Sequence, residues 1–128
     1  MPELLYKDLS YCIRGIAFDI YKQFRNCHKE RIYHNAFILA LKYRDILFET
    51  EKRIPVIYEG KKVGTYTPDL VVDGKILVEL KAKPVIMKHD LTQFWHYLKG
   101  TEYKVGFLIN FGHPDGVQIA RRVYDSAR

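Results

Sequence analysis

A chain of 128 residues with 48% hydrophobic and 14% aromatic content can bury a sizeable core, which excludes a disordered tail and sets the expectation of a single domain spanning 1–128. The 21 Lys and Arg against 15 Asp and Glu leave a net charge of +6, which favours polyanionic partners but identifies none by itself. No run approaches the roughly 18 apolar residues of a membrane span, Met1-Pro2-Glu3 does not lead into an apolar stretch, and Cys12 and Cys27 cannot build a disulfide framework or a four-cysteine metal centre; the expectation is a cytoplasmic protein without a membrane partner.

From Leu5 to Phe24 the residues Leu9, Cys12, Ile13, Ile16, Ala17, Ile20 and Phe24 recur at helical spacing, which predicts an amphipathic helix. The polar stretch Arg25 to Lys29 interrupts it. A second helix is predicted from about Glu30 to Arg44, with Ile32, Tyr33, Ala36, Phe37, Ala40 and Leu41 inward. The period then changes. Ile54 to Tyr58 reads as a strand, Glu59-Gly60 with Lys61-Lys62 as a turn, and Val63 to Thr67 as the return. Asp69 to Val72 and Ile76 to Leu80 form a hairpin about Asp73-Gly74, the glycine tolerating the positive φ of a tight turn. These strands make a β-meander. A third helix is predicted at about Lys88 to Lys99, ending before Gly100, followed by an apolar strand from Val105 to Phe111. Val117 to Tyr124 fits strand or helix, with strand preferred, and one α/β domain is the economical sum.

The Asp73-Gly74 hairpin carries three ionisable residues inside core-like strands. Glu79 and Lys81 project to one face, two residues apart. With Val72 opposite Lys75, Asp69 falls opposite Val78, one position from Glu79. Two carboxylates this close are costly when desolvated unless a cation lies between them. Mg²⁺ meets that need, with Asp69 and Glu79 as ligands, the Leu80 carbonyl as a third and water for the rest; Mn²⁺ suits the same oxygen site. Lys81 would then hold or help deprotonate an attacking water, the metal polarising a phosphodiester. The competing reading is an ordinary hairpin face on which Glu79 and Lys81 are solvated neighbours.

Pro68-Asp69 followed by Glu79-Leu80-Lys81 resembles the PD-(D/E)xK signature of a nuclease superfamily, and the chain from Leu5 to about Gly112 resembles its GxxExxY family. Gly15 to Lys22 is similar to that family's first helix, Glu30-Arg31-Ile32-Tyr33 to its E-x-x-Y, and Leu108-Ile109-Asn110-Phe111-Gly112 to its late strand. Cys27 stands where the naming glycine is expected, which implies a somewhat different loop into the second helix. The resemblance implies a restriction-endonuclease-like core, a central mixed β-sheet formed by the meander and a later strand and flanked by helices. It also implies roles: Glu30 as an acidic residue near the metal, usually through water, Asp69 and Glu79 as direct ligands, and Lys81 as the catalytic lysine. For Glu30 the alternative is a carboxylate that only complements a helix N-terminus.

Gln93-Phe94-Trp95-His96-Tyr97 is similar to the Q-x-x-x-Y motif of RecB-like members of the superfamily. Gln93 and Tyr97 share one helix face, which would reach the metal site's edge or a phosphate, while Leu91, Trp95 and Leu98 form the stripe packed into the domain. His89 reads as a surface histidine, and no histidine has zinc-ligand spacing with the cysteines. Lys61, Lys62, Lys83 and Lys88 would line a nucleic-acid groove through backbone contacts, with weak sequence preference. The resulting expectation is a Mg²⁺-dependent nuclease acting on DNA, RNA being a further substrate the residues allow. It would be either a structure-selective endonuclease such as a Holliday-junction resolvase, working as a symmetric homodimer, or a DNA-end processor. The rival from another class is a non-catalytic nucleic-acid-binding or protein-interaction module that keeps the fold.

Overall fold

The computed structural model describes residues 5–125. It opens with two helices, α1 (Lys7–Phe24) and α2 (Glu30–Tyr43). α1 buries Ile13, Ile16, Ala17, Ile20 and Tyr21, with Leu9, Cys12 and Phe24 at the half-buried margin. α2 buries Tyr33, Phe37 and Leu41, one row at i, i+4 and i+8; Ile32 was expected inward but lies beside that row and is 41% exposed.

The loop between the helices is tied down by Tyr33. Its hydroxyl donates to the Arg25 carbonyl and accepts the His28 N–H, and its ring stacks on Phe111 with centroids 4.6 Å apart. The left-handed residue of this loop is Arg25 (φ 54°), and Cys27 is not among the positive-φ positions. A side chain at 27 is therefore compatible with the turn, and Tyr33 supplies the closure.

Seven strands follow: β1 (Phe48–Thr50), β2 (Ile54–Tyr58), β3 (Lys61–Tyr66), β4 (Leu70–Val72), β5 (Ile76–Lys81), β6 (Val105–Asn110) and β7 (Gln118–Val123), with α3 (Lys88–Lys99) between β5 and β6. Among the described residues the central sheet has the order β1-β4-β5-β6-β7, and its one parallel pair is β5 with β6. The predicted meander is thus divided, because β2 and β3 pair only with each other. Thr67 and Pro68 separate β3 from β4, and a proline has no N–H to continue a ladder. The free edge of β4 is taken instead by β1, whose three residues, half-buried to exposed, carry too little pattern to be foreseen.

Two turns also differ from expectation. Glu59 and Gly60 both take positive φ (49° and 79°), which completes a two-residue turn and places Lys61 and Lys62 in strand β3, opposite Tyr58 and Ile57. At the second hairpin Asp73 and Gly74 have φ of 53° and 65°, and Lys75 N–H donates to the Val72 carbonyl at 3.0 Å. Pairing then resumes at Val72 with Ile76, and Leu70 lies opposite Val78. Lys75 is an extra residue before the ladder, so the register moves by one from the predicted alignment.

Alternation along the strands makes two cores. Leu70, Val72, Ile76, Val78, Leu80, Val105, Phe107 and Ile109 pack against α1 and α2. On the opposite face Val71 and Leu77 pack with Leu98 of α3 and with Ile54 and Tyr66 of the β2–β3 pair. In α3 the buried residues are Asp90, Phe94 and Leu98, with Leu91 and Trp95 only half-buried, so the inner stripe is rotated from the predicted one. Phe94 explains the shift, because its ring occupies the space over Gly106, where a Cβ would lie 2.6 Å from the ring. No helix among the described residues is long and apolar enough to cross a membrane.

Candidate active site

The corrected register sharpens the site. Extending the Leu70 and Val78 pairing by one residue sets Asp69 opposite Glu79, and each carboxylate accepts a backbone N–H from the facing strand. Asp69 N–H donates to Glu79 Oε1 at 2.8 Å, and Leu80 N–H donates to Asp69 Oδ2 at 2.7 Å. Glu79 and Lys81 share the sheet face of Leu77, as predicted from their spacing. In extended backbone a residue's N–H and C=O emerge on the same strand edge, so the Leu80 carbonyl is directed to the side where Asp69 sits.

The electrostatics are those of an uncompensated acidic site. Burial first, and then the adjacent Asp69 charge, push the Glu79 carboxyl up to about 7, against the opposing pull of the Asp69 N–H and Lys81. Glu30, the first residue of α2, is raised in the same direction by partial burial and then by Asp69, with Lys81 and His34 opposing. Glu30, Asp69, Glu79 and Lys81 therefore form one electrostatic group contributed by a helix N-terminus and the β4–β5 hairpin. No trio of His, Cys, Asp or Glu side chains among the described residues converges on a metal position. The donor set is two carboxylates and a backbone carbonyl, which suits a hard cation that keeps several waters.

Of the remaining predicted residues, Tyr97 is tied to this group through Tyr66. Tyr97 stacks on Tyr66 with centroids 4.0 Å apart and planes within 8°, and Gln93, one turn earlier on α3, is exposed. Lys61, Lys62 and Lys88 are exposed, as is His89. Lys83 is in an ion pair, its Nζ 2.7 Å from Oδ2 of the buried Asp90, which also accepts the Met87 N–H at the start of α3.

Three residues that hold the site were not singled out by sequence reasoning. Tyr66 is 4% exposed, and its hydroxyl is buried without a hydrogen bond of good geometry among the described residues. Burial, then the charges of Glu79 and Asp69, raise its pKa, and a side-chain interaction with Glu79 adds to the rise, so the hydroxyl lies near that carboxylate without a bond of good geometry. Its aromatic character in a strand gave no functional signal. Asn110 is fully buried: its amide donates to the Lys83 carbonyl at 2.8 Å and to Gln118 Oε1 at 2.9 Å, and its Oδ1 accepts the Lys83 and Gly112 N–H groups. Gly112 faces the Lys83 backbone, where a Cβ would lie 2.3 Å from the carbonyl oxygen. Together they clamp the chain leaving Lys81; a polar residue inside an apolar strand was the available signal for Asn110.

A family model described as the PD-(D/E)XK nuclease superfamily matches residues 7–123. The chain belongs to this superfamily. Its five-stranded mixed sheet and three helices among the described residues are the restriction-endonuclease-like arrangement expected of PD-(D/E)XK nucleases. Comparison with curated proteins and with solved structures finds no match. Pro68-Asp69 and Glu79-Leu80-Lys81, which resemble the PD-(D/E)XK signature, lie at the hairpin end at which the two carboxylates meet.

Proposed function

We propose that this protein is a divalent-metal-dependent nuclease that hydrolyses phosphodiester bonds in DNA, within the GxxExxY branch of the superfamily. The observation that carries the reading is the pair of cross-strand bonds by which Glu79 accepts the Asp69 N–H and Asp69 accepts the Leu80 N–H. It holds two carboxylates side by side in a half-buried position, where their mutual repulsion is a cost that a bound cation would offset. The Tyr66 hydroxyl near Glu79, without a bond of good geometry, and the direction of the Leu80 carbonyl fit a Mg²⁺ or Mn²⁺ site better than a closed structural ion pair. Asp69, Glu79 and the Leu80 carbonyl would hold the ion, with Glu30 reaching it through water.

Polarisation of the phosphodiester and neutralisation of the charge that develops on it are what such an ion supplies when bound. The chain's own groups do the rest. Lys81, on the same face as Glu79, holds the attacking water and assists loss of its proton, and that water adds to phosphorus as the bond to the leaving oxygen breaks, giving a phosphomonoester and a hydroxyl. Exposed Lys61, Lys62 and Lys88 contact phosphates and position the strand without reading bases, while Lys83 is used to fix the start of α3. Tyr97 bears on the site through Tyr66. A structure-selective endonuclease such as a junction resolvase fits a basic domain of this size, a homodimer presenting two such sites to two strands.

The test is cleavage of four-way junction, linear duplex and single-stranded DNA in Mg²⁺, Mn²⁺ and EDTA by the wild type and Asp69→Asn. Metal-dependent cutting of at least one substrate, absent in Asp69→Asn, is expected, with the junction preferred over linear DNA. Preference for free ends would assign the protein to end processing, and binding without cutting on all three would make it a non-catalytic module.

A further inference from the structure

The Tyr66 hydroxyl is an unusual expense in a buried position. Its approach to Glu79 falls short of good hydrogen-bond geometry, and phenylalanine would fill the same space with no polar atom to satisfy. The ring itself is well used: it stacks on Tyr97 and packs with Val71 and Leu77 in the second core. That packing leaves the ring little freedom, so the direction of the hydroxyl is set. Leu77 and Glu79 alternate onto one sheet face, which brings the Glu79 carboxylate next to the ring's polar end. Glu79 Oε1 is already engaged by the Asp69 N–H, so its second oxygen is the one that a donor at this end would meet.

We infer that Tyr66 is a positioning residue of the metal site, whose hydroxyl donates to Glu79 once a cation draws that carboxylate into its ligating position. The inference deepens the metal-dependent reading above and rests on it. The hydroxyl stands near Glu79 without a bond of good geometry; with a cation bound there it would fix the orientation of a ligand and favour its ionised form. Partners of this kind, one bond behind a metal ligand, commonly set affinity by tenfold or more. The role of Tyr97 follows from the stack. By bracing the Tyr66 ring, it makes α3 a support of the site, acting through Tyr66 and not by direct contact with the phosphodiester.

Tyr66→Phe separates this from a packing role, because it removes one oxygen and leaves the stack. The experiment is Mn²⁺ titration of wild type, Tyr66→Phe and Asp69→Asn, followed by loss of the free-ion EPR signal, with thermal melts of each in EDTA. Expected are Mn²⁺ binding by wild type, an affinity about tenfold weaker in Tyr66→Phe, none at this site in Asp69→Asn, and a cation-free melting temperature in Tyr66→Phe equal to or above wild type. Tyr97→Ala should weaken Mn²⁺ binding in the same direction. Unchanged affinity in Tyr66→Phe with normal wild-type binding overturns the inference alone. A fall in its cation-free melting temperature also does so, since the hydroxyl would then already have its partner. Absence of Mn²⁺ binding in wild type removes the metal-site reading and this inference with it.

Discussion

Glu79→Gln should abolish metal-dependent cleavage, by roughly a thousandfold or more, and yet make the cation-free protein more stable at pH 8. Both effects come from the same charge. With its carboxyl pushed up to about 7, Glu79 holds a proton in the folded protein at pH values where the unfolded chain, at the ordinary 4.5, has released it. The folded state thus binds more protons than the unfolded state between those values, and stability falls as pH rises through the window. Glu30, raised in the same direction, adds to the trend. Asp90 is lowered chiefly by its bond to Lys83, so its contribution is present above 3.8 and is lost only as pH falls below that, outside the window. Glutamine keeps the acceptor for the Asp69 N–H and removes the repulsion. In EDTA the variant should therefore gain on the order of 2 kcal/mol at pH 8, or roughly 8 °C in melting temperature, and gain almost nothing at pH 5. A gap of equal size at both pH values would contradict the assignment of that strain to the Glu79 charge.

The second large effect is structural. Gly112→Ala should cost about 3–5 kcal/mol, read from the urea midpoint, because the new methyl would meet the Lys83 carbonyl oxygen, the Lys83 nitrogen and the Ala82 carbonyl carbon, all within 2.6 Å of its carbon. These are backbone atoms, held by Asn110 on the far side, and cannot rotate away as a side chain would. Opening this contact also loosens the chain immediately after Lys81, so cleavage should fall even under conditions where the variant is folded. Gly15→Ala, on α1 where a Cβ meets nothing within 4 Å, is the control, expected to be neutral or stabilising by up to about 1 kcal/mol. Equal urea midpoints for the two variants would contradict the close approach of β6's end to the exit of β5.

What was legible in the sequence follows from which forces are local. The helices α1, α2 and α3 announce themselves through periodic burial, and β5 and β6 through largely apolar runs, since each needs only its own side chains to be recognised. The partition of the meander was not legible, because whether β3 joins β4 depends on what competes for the β4 edge, and β1 wins that edge with three residues of no distinctive pattern. The one-residue register error had a similar origin. Asp73-Gly74 does form the tight turn, but whether Lys75 enters the ladder is decided by how the two strands align behind it.

At the site, Asp69, Glu79 and Lys81 could be named from a turn and an alternation, and the shift in register moved the two carboxylates directly opposite each other without separating them. Glu30 came from the family resemblance, and its place beside Asp69 and Lys81 depends on how α2 packs over the sheet. Tyr66 was invisible because a buried tyrosine in a strand reads as core, and what marks it is a buried hydroxyl near Glu79 without a bond of good geometry. Phe94 was passed over for Trp95 because the inner face of α3 was taken as the one opposite Gln93 and Tyr97, whereas the decisive partner is a missing side chain, Gly106, on another element.

The central claim is that Asp69, Glu79 and the Leu80 carbonyl together hold a divalent cation. Its most direct test is an anomalous difference map from crystals soaked in Mn²⁺. The account predicts a peak about 2.1–2.3 Å from one oxygen each of Asp69, Glu79 and the Leu80 main chain, with Lys81 alongside and not ligating. A crystal that takes up Mn²⁺ elsewhere while this hairpin end stays empty would contradict it.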